Sequence, residues 1–194
     1  MIDSLNLLQN LSRRRCLQSA LAAATATAGF AGLSAPWASA QNASQSLTGP
    51  AFVVSPWAGA LAALDVLDIT GKRWSPADLQ GRPVLMNFWA SWCEPCRAEM
   101  PSLQQLADLY GPEKLLVLAI NFKEAPARAI RFAQSTGVTL PVLLDGDGSL
   151  ARQWGVKVFP TTLLVDSRGK PRSRVQGEVD WTGKAAEKLV DGLM

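Results

Sequence analysis

Residues 83–90, Pro-Val-Leu-Met-Asn-Phe-Trp-Ala, make a nearly unbroken apolar run bounded by Gly81 and Ser91. A strand with one wet face alternates apolar and polar residues, so a run without alternation reads as a strand covered on both faces, the habit of sheets sandwiched between helices. Leu115 to Asn121 and Leu140 to Leu144 repeat that pattern. Between the runs lie helix patterns. Pro95 to Tyr110 carries Met100, Leu103, Leu106, Ala107 and Tyr110 at helical spacing and stops at Gly111-Pro112. Pro126 to Thr136 is a second helix, with Ile130 and Ala133 inward and Gly137 closing it. Thr161 to Asp166 and Arg172 to Gly177 read as a hairpin about Ser167-Arg168-Gly169, followed by a helix from Thr182 to Leu193. Upstream, Leu61 to Ile69 reads as a strand, with a turn at Thr70-Gly71-Lys72, a short strand near Trp74 and one helical turn over Ser75 to Leu79. Strands alternating with helices and ending in a hairpin and a helix predict an α/β fold with a central mixed sheet flanked by helices.

The first forty residues read as an export signal. Ser12-Arg13-Arg14-Arg15-Cys16-Leu17 is a charged start, followed by an Ala-, Thr- and Gly-rich apolar run to about Ala35 and then Ala38-Ser39-Ala40, the small-residue pattern of a cleavage site before Gln41. The arginines resemble a twin-arginine signal, although Cys16 stands where Phe is usual, so the general secretory route stays open. Gln18, Ser19, Thr25 and Thr27 dilute the run too much for it to read as a membrane span, although retention as an uncleaved anchor is a second reading. Residues 41–60 are rich in Ser, Ala, Gly and Pro without a period and read as a linker, which places the folded domain at 61–194.

Charge and composition narrow the chemistry. The chain has 19 Lys and Arg against 16 Asp and Glu; without the leader's three arginines and one aspartate, 16 stand against 15. A near-neutral domain carries no electrostatic signature for nucleic acid. Histidine is absent, which excludes imidazole metal sites, Ser/His/Asp and Cys/His nucleophiles, and histidine acid–base chemistry. Of three cysteines, Cys16 lies in the leader, so the exported chain holds one pair, Cys93-Glu94-Pro95-Cys96.

A buried strand running into this motif and on into a helix puts Cys93 at the helix N-terminus and Cys96 one turn in, with the two sulfurs within bonding reach. Free N–H groups and the helix dipole there favour a thiolate, the species that attacks a disulfide. Cys96 is placed to resolve the mixed disulfide, and Pro95 suits a first turn, where a missing N–H costs nothing. Half a zinc site is excluded for want of further ligands. A static bridge closing so short a loop contributes little stability.

The strand Val84-Leu85-Met86-Asn87-Phe88-Trp89, the run Ala90-Ser91-Trp92-Cys93-Glu94-Pro95-Cys96-Arg97-Ala98-Glu99-Met100-Pro101 and the later Val158-Phe159-Pro160-Thr161-Thr162 together resemble the thioredoxin superfamily, and within it the TlpA/ResA-like exported thiol-disulfide oxidoreductases. The resemblance runs from about Leu61 to the end. It implies a thioredoxin-like fold with an N-terminal strand extension, and it makes the helix and strand between about Ala125 and Leu144 the central αβ insertion of that branch. It implies a cis peptide bond before Pro160, with Phe159, Pro160 and Thr161 meeting an extended substrate. Cys93 becomes the nucleophile, Cys96 the resolving cysteine and Glu99 a proton relay to it. Asn87 departs from plain thioredoxin, which has a buried Asp there, and this shifts proton handling toward Glu99. Trp92, Glu94 and Pro95 tune the couple, and Glu94 opposes the helix dipole and makes the protein reducing. The function implied is reduction of envelope protein disulfides of the cytochrome c or oxidase maturation type. Its partners would be protein thiol or disulfide clients and a membrane electron donor in the periplasm or cell envelope, with no metal and no cofactor beyond the Cys93–Cys96 disulfide. The alternatives are a disulfide oxidase or isomerase, or a non-enzymatic binding module of the same fold.

Other features read as structural. Asp145-Gly146-Asp147-Gly148-Ser149 lacks the remaining ligands of a calcium loop and reads as a turn in which Ser149 or Asp147 caps a short helix. Arg168, Lys170, Arg172 and Arg174 alternate along the hairpin and read as a solvated sheet edge. Trp57, Trp74, Trp154 and Trp181 read as packing, and Trp89 and Trp92 flank the dithiol.

Overall fold

All six side chains of strand β4 (Val84–Trp89) are buried, as its apolar run requires. In the computed structural model, which describes residues 51–57, 59 and 64–194, β4 has a neighbour of each polarity. β5 (Leu116–Phe122) pairs parallel to it, and β6 (Val142–Asp145) pairs parallel to β5. On the other side lies the antiparallel hairpin β7 (Thr161–Val165) and β8 (Pro171–Gly177). β1 (Phe52–Pro56) closes that flank antiparallel to β8, giving a six-stranded sheet of order β1-β8-β7-β4-β5-β6. Residues 52–56 fall inside the stretch that composition marks as linker; the folded unit therefore begins earlier than residue 61. Phe-Val-Val-Ser-Pro is too short to show a period, and only its pairing with β8 makes it a strand. The leader and residues 41–50 lie outside the described residues.

The period of two divides β4 between two cores. Leu85 and Trp89 pack with α1 (Glu94–Tyr110) and α4 (Lys184–Asp191), while Val84, Met86 and Phe88 pack with Trp74 and with α3 (Ser149–Gln153). Helix α2 (Pro126–Thr136) joins the first core through Ala129, and its Phe132 stacks on Trp89 at a centroid distance of 4.5 Å. The inward face of α2 is thus Ala129 and Ala133, with Ile130 turned partly outward; small residues face in because the helix lies close to a bulky tryptophan. Trp57, Trp74, Trp154 and Trp181 are all buried.

Of the strand expected over Leu61 to Ile69, residues 61–63 lie outside the described residues and only Val66–Leu67 of the rest is strand. β2 (Val66–Leu67) and β3 (Arg73–Trp74) form a two-residue hairpin of their own, fastened to the main sheet by the Ile69 N–H on the Val142 carbonyl at 2.9 Å. The basic stripe is also corrected: β8 lies between β1 and β7, so it is no edge. Arg172 Nη2 pairs with buried Asp166 at 2.6 Å, and Arg174 Nη2 donates to the Trp154 carbonyl at 2.6 Å. At the start of α3, Asp145 accepts from the N–H groups of Leu150 and Ala151, both at 3.0 Å, and Asp147 accepts from that of Ser149 at 2.9 Å. The cap is therefore made by the carboxylates of Asp145 and Asp147.

Gly177 ends β8 at φ 106, where a Cβ would stand 2.3 Å from the Ala51 carbonyl oxygen, so only glycine fits. Its N–H donates to the Pro160 carbonyl at 3.0 Å, which ties the end of β8 to the start of β7.

Candidate active site

Three residues, Ala90 to Trp92, join β4 to Cys93. The Cys93 N–H closes this turn on the Ala90 carbonyl at 3.1 Å, and Cys93 is the N-cap of α1. Its sulfur accepts from the Cys96 N–H at 3.3 Å, which uses one of the free donors of the first helical turn. The same donor and the helix dipole stabilise negative charge on Cys93 Sγ once the pair is reduced. Cys93 and Cys96 are joined as a disulfide, with Cα atoms 5.3 Å apart. Cys96 has no exposed surface and Cys93 keeps 7% of its own, so an incoming sulfur reaches Cys93 first.

Cys96, Glu99, Met100, Leu103 and Leu106 form the buried face of α1. Glu99 is therefore one turn beyond Cys96 on that face, a carboxyl in a core rather than on a helix surface, and 2% exposed. Its Oε1 accepts from Asn87 Nδ2 at 2.6 Å and its Oε2 from the Val179 N–H at 3.1 Å. Asn87 Nδ2 also donates to Thr162 Oγ1 at 3.0 Å, leaving Asn87 Oδ1 buried without a partner. Burial pushes the Glu99 pKa up to about 7, helped by the nearby Glu178 charge and opposed by the donors from Val179 and Asn87. A carboxyl at that pKa changes hands with a proton near neutrality, which an ordinary surface glutamate does not.

The Phe159–Pro160 peptide bond is cis. Phe159 packs edge-on against Trp92 at 6.1 Å and tilted on Phe122 at 4.6 Å between ring centroids. Trp92 is 61% exposed and Val158 49%, so an apolar surface surrounds the outer edge of Cys93. Thr161 is buried, and its Oγ1 donates to the Val158 carbonyl at 2.8 Å, which shapes the loop carrying Phe159 and Pro160. The Glu94 side chain is 81% exposed and pairs with Arg97 at 3.1 Å, so its charge reaches Cys93 screened by solvent and by the guanidinium.

Residues 41–190 match the family model described as Redoxin. The chain belongs to the Redoxin family. It is 34% identical over 110 residues to a thiol-disulfide oxidoreductase ResA of Geobacillus thermodenitrificans, a match covering 57% of this chain and 63% of the relative. Against ResA of Bacillus subtilis it is 33% identical over 127 residues, covering 66% and 68%. A crystal structure of a putative thiol:disulfide interchange protein DsbE from Chlorobium tepidum superimposes with a TM-score of 0.65 at 28% identity, over 70% of this chain and 96% of that one. The fold is accordingly thioredoxin-like and the chain is a ResA-like member of the thioredoxin superfamily, whose redox group is the protein's own cysteine pair. The match spans under two thirds of the first of these relatives. Among the described residues no cluster of three His, Cys, Asp or Glu is arranged to hold a metal, and no helix is long and apolar enough to cross a membrane.

Sequence reasoning passed over Ser91, Asn121 and Glu124. Ser91 reads as the end of the apolar run and part of a motif, yet the Glu124 carboxylate, from beyond the end of β5, holds it in the turn before Cys93. An acid 33 residues from its partner in sequence carries no local signal.

Proposed function

We propose that this chain is an exported thiol-disulfide oxidoreductase that uses Cys93 and Cys96 to reduce disulfides of envelope proteins, with cytochrome c or oxidase maturation proteins as clients and a membrane protein as electron donor. The observation that carries it is the Cys93 sulfur at the start of α1, receiving the Cys96 N–H and reaching the surface while Cys96 does not. The leader pattern over residues 1–40 supports export. The exposed patch of Trp92 and Val158 beside Phe159 suits a protein client, since an extended segment covers an apolar rim.

In the reduced protein the Cys93 thiolate attacks a client disulfide, forming a mixed disulfide, and the displaced client sulfur leaves as a thiolate that takes up a proton. The Cys96 thiol gives its proton to the ionised Glu99 carboxylate. The new Cys96 thiolate then attacks Cys93 Sγ and releases the second client sulfur, which takes the second proton. Two electrons and two protons pass to the client, and the protein is left as the disulfide.

The reducing direction is supported by how little holds the Cys93 thiolate. A single backbone donor reaches the sulfur, Pro95 lacks an N–H, and the first-turn cation Arg97 is engaged by Glu94. A reduced form stabilised so weakly corresponds to a potential nearer about −270 mV than about −120 mV. Purified protein regenerated by dithiol should reduce a client disulfide, Cys93→Ala should abolish this, and Cys96→Ala should accumulate mixed disulfides that identify the client. A potential above about −180 mV would remove the reductase assignment, and inability of the two thiols to join would remove the oxidoreductase reading altogether.

A further inference from the structure

We propose that Glu124 is a positioning residue for the dithiol, latching the turn that carries Cys93 and thereby setting how readily the two cysteines join; this rests on the oxidoreductase reading above. Both oxygens of its carboxylate are spent on that task. Oε2 accepts from the Ser91 N–H at 2.7 Å and from Asn121 Nδ2 at 2.8 Å, and Oε1 accepts from Ser91 Oγ at 2.6 Å and faces Arg128 Nη1 at 3.7 Å. The side chain is 3% exposed, and a buried carboxylate is tolerated only where donors surround it. Although burial raises its pKa, the Ser91 and Asn121 donors and the Arg128 charge outweigh that and hold it below the ordinary glutamate value, so it stays ionised.

Two observations separate a latch from a mere helix cap. Glu124 precedes Ala125, the N-cap of α2, and its hydrogen bonds go to Ser91 and Asn121 rather than to the free N–H groups of that helix. The chain also adopts a left-handed residue at Lys123, φ 50, immediately before Glu124, a conformation disfavoured for a residue other than glycine. The partner, Ser91, is two residues before Cys93 in a turn so short that the Cys93 N–H is closed on the Ala90 carbonyl. Moving Ser91 therefore moves the Cys93 sulfur relative to Cys96. In the disulfide the S–S bond itself holds the two together. In the dithiol that bond is gone, and the turn with its latch joins the Cys96 N–H on Cys93 Sγ and the Arg97 N–H on the Cys93 carbonyl in holding Cys93 in place, so the latch raises the effective concentration of one thiol at the other.

The test is the equilibrium of the purified protein with glutathione, in which the dithiol and oxidised glutathione give the protein disulfide and two glutathione thiols. Ser91→Ala removes a hydroxyl and no charge, so an effect that it shares with Glu124→Ala does not act through the electrostatics of a thiolate. Glu124→Ala should lower the equilibrium constant about tenfold, a rise in potential of about 30 mV. Ser91→Ala, which keeps the backbone N–H bond, should lower it about threefold. An unchanged constant in folded Glu124→Ala overturns the proposal. Should that variant not fold, Ser91→Ala decides, because it removes the Ser91 Oγ bond to Glu124 and leaves the carboxylate charge in place; an unchanged constant there overturns the proposal equally. Wild-type protein runs in the same titration, so failure of its own thiols to join would mark failure of the oxidoreductase reading and not of the latch.

Discussion

Glu99 makes the stability of this protein fall as pH rises toward neutrality, the reverse of the usual carboxylate effect. The unfolded carboxyl loses its proton near 4.5, and the folded one keeps it to about 7. Between those values the folded state binds more protons than the unfolded state, so stability declines with rising pH. It is fully present below the lower value and fully lost above the upper. A shift of that size is worth about 3 kcal/mol, a large share of a small domain's stability. The window is unusually clean. The chain contains no histidine, and Asp68, Asp78, Glu124, Asp147, Asp166 and Asp180 all have lowered pKa values, so their contributions disappear only in more acid solution. The assay is urea unfolding of the oxidised protein, followed by tryptophan fluorescence at several pH values from about 4.5 to 8, for wild type and Glu99→Gln. Glutamine is close to the shape of the protonated acid, and its amide finds an acceptor in Asn87 Oδ1, which lacks a partner, once that side chain turns over. Wild type should lose about 3 kcal/mol across the window and Glu99→Gln should be nearly flat there. Parallel curves for the two proteins would refute the assignment of a proton to buried Glu99 at neutrality.

Other consequences are as direct. Glu94→Gln should move the potential by less than about 30 mV, a tenfold change in the equilibrium constant, because the charge it removes is exposed and paired with Arg97; redox titration against glutathione checks this. Leu103→Ala, at a fully buried position on α1, should cost roughly 2–5 kcal/mol in urea unfolding without altering the potential. Asp145→Ala removes acceptors from two N–H groups at the start of α3 and should cost about 1–2 kcal/mol, seen as a lower melting temperature with client reduction intact.

The elements legible in the sequence were those whose burial is written in local order. The strand over 84–89 declares itself because every position is apolar save Asn87, and α1 because its buried residues recur at helical spacing and Gly111 ends it. The Cys93–Cys96 pair belongs with them, since four consecutive residues at a strand-to-helix junction suffice to bring two sulfurs together. The cis bond at Pro160 was legible only through family resemblance, as nothing local to an X-Pro pair selects that isomer.

What required the folded chain was every property arising between segments distant in sequence. β1 exists because β8 offers it a ladder, and Arg172 and Arg174 are inward partners because β8 has a neighbour on each side. Glu99 is titratable near neutrality because the assembled core buries it, an effect that outweighs the donors brought to it by Asn87 and Val179 from other parts of the chain. Glu124 finds Ser91 because β4 and β5 run parallel and end side by side. Periodicity and spacing encode which face of an element is buried. The electric and hydrogen-bonding environment of a group depends on what packs against that face, and that is decided only when the sheet assembles.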